Sequence, residues 1–301
     1  MSSPAPATRN SLPWRLGSIA IMGTVGVVSR GFLYGLNNVE VIGLGHLLET
    51  LDRRRTQGRE RGLLTVCNHV AVLGQVLPTR RLWHSPLGGL FQPTMTQAIG
   101  LLSGPGQSSS FKDLSFSTDG KDSFPSPAAY SANRNSWVHV FPEACCHQSH
   151  ESTLRYFKWG ISRLILESDP APEFIPMFIH GTQDIMPEDR GFPRFLPRIG
   201  NKIRVVIGKP ANVDTVFGRE REKWKQLVQK GDPEILTHGH EAVQLRIQVA
   251  KSVRDEVAKL RESIGLPPEQ DETAALASTW SKEPNKRKFK SPVDGSLVNR
   301  V

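Results

Sequence analysis

The sequence predicts an α/β domain built as one central mixed sheet flanked by helices. Five short runs rich in β-branched and apolar residues read as strands, at 39–42, 63–66, 137–141, 174–179 and 203–207. Helical patterns lie between several of them, as they do where a right-handed crossover joins parallel strands. With 301 residues, 38% of them hydrophobic, the chain is long enough to bury a sizeable core. That length and composition exclude a disulfide mini-protein, a collagen-like chain and a wholly disordered one.

The elements follow in order. Residues 1–12 read as a flexible N-terminus and 13–36 as a membrane-associating segment. No acidic residue precedes Glu40, while Arg9, Arg15 and Arg30 do, a composition like that of mitochondrial targeting segments. The apolar run 16–28 is only 13 residues long, short of the roughly 20 that a simple crossing needs. Insertion into one leaflet, with Trp14 and Tyr34 near the headgroups, fits it, and a buried core helix is the alternative. The domain proper occupies 37–266. Within it, Leu154, Phe157, Ile161, Leu164 and Ile165 recur at the spacing of one helix face, and Val249, Val253, Val257, Leu260 and Ile264 form a second apolar stripe near the C-terminus. The stretch 103–136 holds ten serines and reads as a disordered insertion. From 267 to 301 the chain is polar, broken by proline, and basic at Lys286-Arg287-Lys288, as in a solvated tail.

Charge narrows the partners. The 38 Lys and Arg against 29 Asp and Glu leave +9, which favours anionic surfaces. No zinc-finger, helix-turn-helix or RNA-binding pattern accompanies the charge, so an acidic membrane is favoured over nucleic acid. In the loop 190–204, Arg190, Arg194, Arg198, Lys202 and Arg204 alternate with Phe192, Phe195 and Leu196, a mixture suited to an acidic bilayer surface or to a solvated loop with its aromatics tucked inward. The three cysteines, Cys67, Cys145 and Cys146, cannot all pair and show no CxxC spacing, so neither a disulfide framework nor a structural metal site is expected.

Two motifs stand where strands give way to loops, the edge at which α/β sheets bind ligands. Asn68-His69 follows the second strand and Phe141-Pro142-Glu143 the third. An imidazole at that edge can take a proton from a hydroxyl, and a carboxylate can hold hydroxyls or orient a base. Cys145-Cys146, close in sequence to His139 and His147, could supply a nucleophile only if a base lies beside it in space.

Together these motifs carry a resemblance. Asn68-His69, Phe141-Pro142-Glu143, the run from Arg155 to Ile161, and Ile207-Gly208-Lys209-Pro210 resemble the tafazzin family, a mitochondrial branch of the glycerophospholipid acyltransferases. The resemblance runs from about Trp14 to Ile264. It implies transfer of acyl chains between phospholipids and lysophospholipids, phosphatidylcholine and cardiolipin among them, with cardiolipin remodelling as the outcome. It implies no cofactor, no metal and no acyl-coenzyme A. It places the chain peripherally on mitochondrial inner and outer membranes, facing the intermembrane space. In that scheme His69 is the general base, Glu143 positions the polar part of the acceptor, and Arg81, with Arg80 as the fallback, contacts phosphate. The chain departs from the family at one point: the pattern His-x4-Asp meets Gly74, and no carboxylate occurs between His69 and Asp113. An internal deletion after His69, removing the acid and part of the fold, accounts for this. Impaired catalysis follows from it, with a catalytically silent membrane-binding protein of the same fold as the alternative. A cysteine-dependent hydrolase using Cys145 or Cys146 is a further alternative.

Overall fold

A computed structural model describes residues 12–70, 90–91, 93–104, 115–116, 124–125, 134–144, 146–149, 151–187, 191–193, 195–269, 271–277, 279, 288–290 and 297–299. Its sheet contains β1 (Asn38–Ile42), β2 (Leu63–Cys67), β3 (Trp137–Val140), β4 (Glu173–His180) and β5 (Lys202–Ile207), in the order β1-β5-β4-β2-β3. β2 pairs in parallel with β3 and β4, β1 pairs in parallel with β5, and β4 runs antiparallel to β5. The two-residue strand Ala211–Asn212 adds a sixth member against β4. The five strands expected from the sequence are these five, and the sheet is mixed as expected.

Every residue of β2 is buried, as a central strand covered on both faces requires. Its side chains alternate between two cores. Leu63 joins Ile175 and Ile207 beneath α2 (Leu44–Thr56), through Leu47. Leu64 and Val66 join Phe174, Phe178 and Val206 on the opposite face. That larger core is closed by α3 (Pro93–Leu102), α4 (Gly160–Glu167), α5 (Gly218–Gln229) and α7 (His240–Ser263), with the short α6 (Pro233–His238) alongside. Val249, Val253 and Val257 of α7 are fully buried, so the second apolar stripe packs as expected. Gly208 has no room for a side chain: a Cβ there would stand 2.7 Å from Pro176 Cγ, and its N–H donates to Pro176 O at 2.9 Å.

Four expectations change. The first apolar stripe is not one helix. α4 begins only at Gly160, and Leu154 and Phe157 are buried from non-helical chain. The main chain there is bonded to distant partners instead: Leu154 N–H to Glu269, Arg155 N–H to Glu143 and Lys158 N–H to Pro142 O. Both ends of the serine-rich insertion belong to the fold. Ser103 is fully buried, Ser136 N–H donates to Leu101 O, and Ser115–Phe116 pairs with Phe124–Pro125; most residues between lie outside the described set. The segment after 267 starts docked rather than solvated, with Glu269 paired to Arg254 and Pro267 O accepting from Arg261. Finally, α1 (Leu12–Leu36) runs unbroken through Arg30 for 25 residues, and its window Ile19–Leu36 is 0% buried and apolar enough to cross a membrane. Within this chain α1 packs into no core, unlike the buried core helix given as the alternative. Residues 1–11 lie outside the described set.

Candidate active site

Because β2 and β3 are parallel, the loops that follow them emerge at the same edge of the sheet. Asn68 governs the exit from β2. Its Nδ2 donates to Ile179 O at 2.9 Å and its Oδ1 accepts from Ile179 N–H at 2.8 Å, so the side chain makes the pairing that the next main-chain residue would have made. The backbone is thereby released at His69.

His69 is held on three sides. Its N–H donates to Glu143 Oε2 at 3.0 Å, its carbonyl accepts from His147 N–H at 2.8 Å, and its ring lies 5.0 Å from the Phe141 ring. Gln148 Nε2 donates to Val70 O at 3.2 Å and to Met186 O at 3.1 Å, fastening the same stretch one residue further along. The chain at 146–148 therefore runs beside the chain at 69–70. This places Cys146 Sγ 3.6 Å from His69 Nε2, with both residues half-buried.

Glu143 is turned inward. It is 2% exposed, and its two oxygens accept separately from the N–H groups of His69 and of Arg155, the latter at 3.1 Å. Burial pushes its carboxyl up to about 8, against the two N–H donors and the Arg254 and Arg155 guanidinia, which act in the opposite direction. A carboxyl group so engaged braces the loop that carries His69.

The brace continues into α7. Arg254 donates to Leu154 O at 2.8 Å and to Arg155 O at 3.1 Å, and its guanidinium also pairs with Glu269. Arg261 donates to Glu151 O at 2.9 Å and to Ser152 O at 3.1 Å. Both arginines are buried. The carbonyls of Glu151, Ser152, Leu154 and Arg155, which no helix satisfies, are thus satisfied by α7, and Arg155 N–H then meets Glu143. Sequence reasoning missed these arginines. Their signal was position: Arg246, Arg254 and Arg261, 8 and 7 residues apart, lie on the face of the valine stripe, where an unpaired charge would not be tolerated.

Two other histidines are structural. His139 stands opposite Thr65 in the β2–β3 register, with Thr65 Oγ1 2.7 Å from its Nδ1 and Trp137 Nε1–H donating to the same hydroxyl at 2.9 Å. Burial lowers the His139 pKa to about 4, so it is neutral near pH 7. His180, at the end of β4, has Nδ1 2.8 Å from Ser152 Oγ, which also accepts from Gln183. Of the residues singled out from sequence, His69, Glu143 and Cys146 converge. Gly74, Arg80, Arg81 and Cys145 lie outside the described residues. Among the described residues no three His, Cys, Asp or Glu side chains gather as metal ligands.

The site is a mixed α/β sheet flanked by helices, with an Asn-His and a Phe-Pro-Glu motif at one carboxyl edge. Sequence comparison bears on the particular family. The chain is 31% identical to tafazzin of Saccharomyces cerevisiae over 96% of its own length and 89% of the relative's. It is 27% identical to the Dictyostelium discoideum protein named taffazin over 67% of this chain and 72% of that one. The chain belongs to the tafazzin family, and with it to the acyltransferases. The yeast alignment occupies 351 positions; 96% of 301 residues is about 289, so about 62 positions hold no residue of this chain. Among solved structures, the 1-acyl-sn-glycerophosphate acyltransferase PlsC of Thermotoga maritima is 16% identical, covering 77% of this chain and 84% of that one at a TM-score of 0.37. No protein-family model matches the chain.

Proposed function

We propose that the chain is a tafazzin-type transacylase that moves fatty acyl groups between phospholipids and lysophospholipids on mitochondrial membranes, and remodels cardiolipin by doing so. The observation that carries this reading is the half-buried imidazole of His69 at the carboxyl edge of β2, with its main chain pinned on both sides. His69 takes the proton of the acceptor hydroxyl, the oxygen attacks an ester carbonyl of the donor, and the proton passes to the departing lysolipid oxygen. Glu143 serves by positioning His69. Arg81, or Arg80 in its place, is the phosphate contact, since a guanidinium fork matches phosphate oxygens.

Four residues beyond His69, where the family pattern has its acid, the sequence has Gly74. The roughly 62 alignment positions without a residue of this chain support an internal deletion, which we assign to the stretch after His69. Loss of the equivalent acid in serine proteases lowers turnover about 10⁴-fold, and a fall of that order is expected here.

Membrane attachment rests on two uncovered apolar elements. At about 1.5 Å per residue the 25-residue α1 is roughly 37 Å long. Gly200 N–H donates to Leu36 O at 2.8 Å and Asn201 N–H to Asn37 Oδ1 at 3.0 Å, so the loop 191–200 is tied to the C-terminal end of α1. Phe192, Phe195, Leu196 and Ile199 in that loop are 94%, 73%, 55% and 62% exposed. Such a loop rests among headgroups while α1 enters the bilayer from the same side, in the monotopic arrangement facing the intermembrane space. The same two elements would serve a catalytically silent membrane-binding protein. The deciding assay follows acyl exchange between labelled phosphatidylcholine and lysocardiolipin in liposomes, with the yeast relative alongside. Slow exchange, about 10⁴-fold below the relative, is the expected result. Equal rates would refute the impairment, and vesicle binding with no exchange at any protein concentration would leave the silent reading.

A further inference from the structure

The cysteine motif has no role in the function proposed above, yet the fold brings one of its members to the base. Cys146 Sγ stands 3.6 Å from His69 Nε2, within hydrogen-bonding reach for sulfur. Side-chain drift does not account for the contact. His69 O is bonded to His147 N–H, and Val70 O to Gln148 Nε2, so the two residues flanking Cys146 on its C-terminal side fix its main chain against the His69 loop. Glu143 closes the other side by holding His69 N–H. The thiol is half-buried, unlike Cys67, which is fully buried within β2 with its ionisation suppressed by burial. A thiol–imidazole pair on a rigid turn at the carboxyl edge of a sheet is the arrangement of a covalent acyl carrier.

We propose that Cys146 is a catalytic nucleophile and that the acyl group passes through a Cys146 thioester, a route that rests on the acyl-transfer reading above and refines it. In the first half, His69 takes the thiol proton, Sγ attacks the donor ester carbonyl, the C–S bond forms and the C–O bond breaks. The lysophospholipid alkoxide leaves with the proton that His69 returns. In the second half, His69 takes the proton of an acceptor lysolipid hydroxyl, its oxygen attacks the thioester, the C–O bond forms and the C–S bond breaks, and the thiolate recovers the proton from His69. No oxidant, reductant or cofactor enters.

The route also suits a chain whose base has lost its orienting acid. A thiol, with a pKa of about 8.5, is far easier to deprotonate than a lipid hydroxyl and is intrinsically the stronger nucleophile. It therefore depends less on a third group than a direct attack by the acceptor does. Acylation should survive the loss better than overall turnover, so the acyl-enzyme is the species to look for.

The test uses the full chain in liposomes of phosphatidylcholine carrying a labelled acyl group, without acceptor. Label on the protein that neutral hydroxylamine releases as the acyl hydroxamate, mapped to the peptide containing Cys146, is the expected outcome. Cys146→Ser, which keeps the side-chain branching, and Cys146→Ala should each lose the hydroxylamine-labile label and at least 100-fold in acyl exchange. Cys145→Ala and Cys67→Ala should keep the label. Absence of label on the unaltered chain, or label that persists in both Cys146 variants, overturns the proposal. Wild-type exchange in Cys146→Ala together with its loss in His69→Ala would overturn the thioester alone and leave direct transfer standing. Exchange that survives both substitutions would end the acyl-transfer reading of this site as well.

Discussion

Glu143→Gln probes the brace on His69 with little change of shape. The carboxylate serves two buried main-chain donors through separate oxygens, His69 N–H at 3.0 Å and Arg155 N–H at 3.1 Å. An amide offers one oxygen and one NH2, so one of those N–H groups meets a donor and loses its bond. A buried donor left unsatisfied costs about 1–3 kcal/mol. At 1.36 kcal/mol per decade that cost speeds local opening about 5- to 160-fold. Amide hydrogen exchange reads this directly. The expected result is faster exchange at His69, at Arg155 or at both, alongside reduced acyl transfer, while amides of β4 and β5 stay protected. Activity lost with exchange at both amides unchanged would refute the bracing role and return Glu143 to direct contact with substrate.

Other outcomes follow from the same structure. With the Glu143 carboxyl raised to about 8 by burial, the folded chain keeps a proton that the unfolded chain releases near 4.5, so stability falls as pH rises between those values and levels off above about 8. Urea midpoints across that range should show the slope in the unaltered chain and lose it in Glu143→Gln. Arg254→Ala strips partners from Glu269 and from the Leu154 and Arg155 carbonyls, and the loss from breaking such a buried pair should be about 3–5 kcal/mol by urea unfolding; a loss below about 1 kcal/mol would mean that α7 does not hold the 151–155 segment. Phe192→Ser and Phe195→Ser should each weaken vesicle partitioning about tenfold, given roughly 1.5 kcal/mol per ring placed in the headgroup region. Co-sedimentation unchanged in the double variant would remove this loop from the membrane contact.

The sheet was legible because each strand is a short run rich in β-branched and apolar residues, and burial on both faces leaves β2 no exposed position. The placement of His69 and Glu143 at one edge was legible too, since both motifs directly follow strands that turned out to be parallel. The 154–158 part of the first apolar stripe is not helical for a physical reason. Its apolar spacing satisfies a helix, but Glu143, Arg254 and Glu269 take up its hydrogen-bonding groups, and those partners lie at separations of 12 to 115 residues. The tail was misread likewise, as Glu269 sits in a polar, proline-broken stretch and reveals itself only through Arg254. A short apolar count for the N-terminal segment undervalued α1, since Arg30 does not interrupt the helix and lies 5.3 Å over the Tyr34 ring. The proximity of Cys146 to His69 had no signature at all, because it arises from two loops 77 residues apart running side by side.

The account depends on the His69 imidazole as the group that moves the proton. Acyl exchange by the full-length chain in phosphatidylcholine–lysophospholipid liposomes, compared with His69→Gln, tests that most directly. Exchange should fall at least 100-fold in the variant, as loss of a general base requires, with the urea midpoint and vesicle binding retained. Equal exchange by the two proteins would contradict the account.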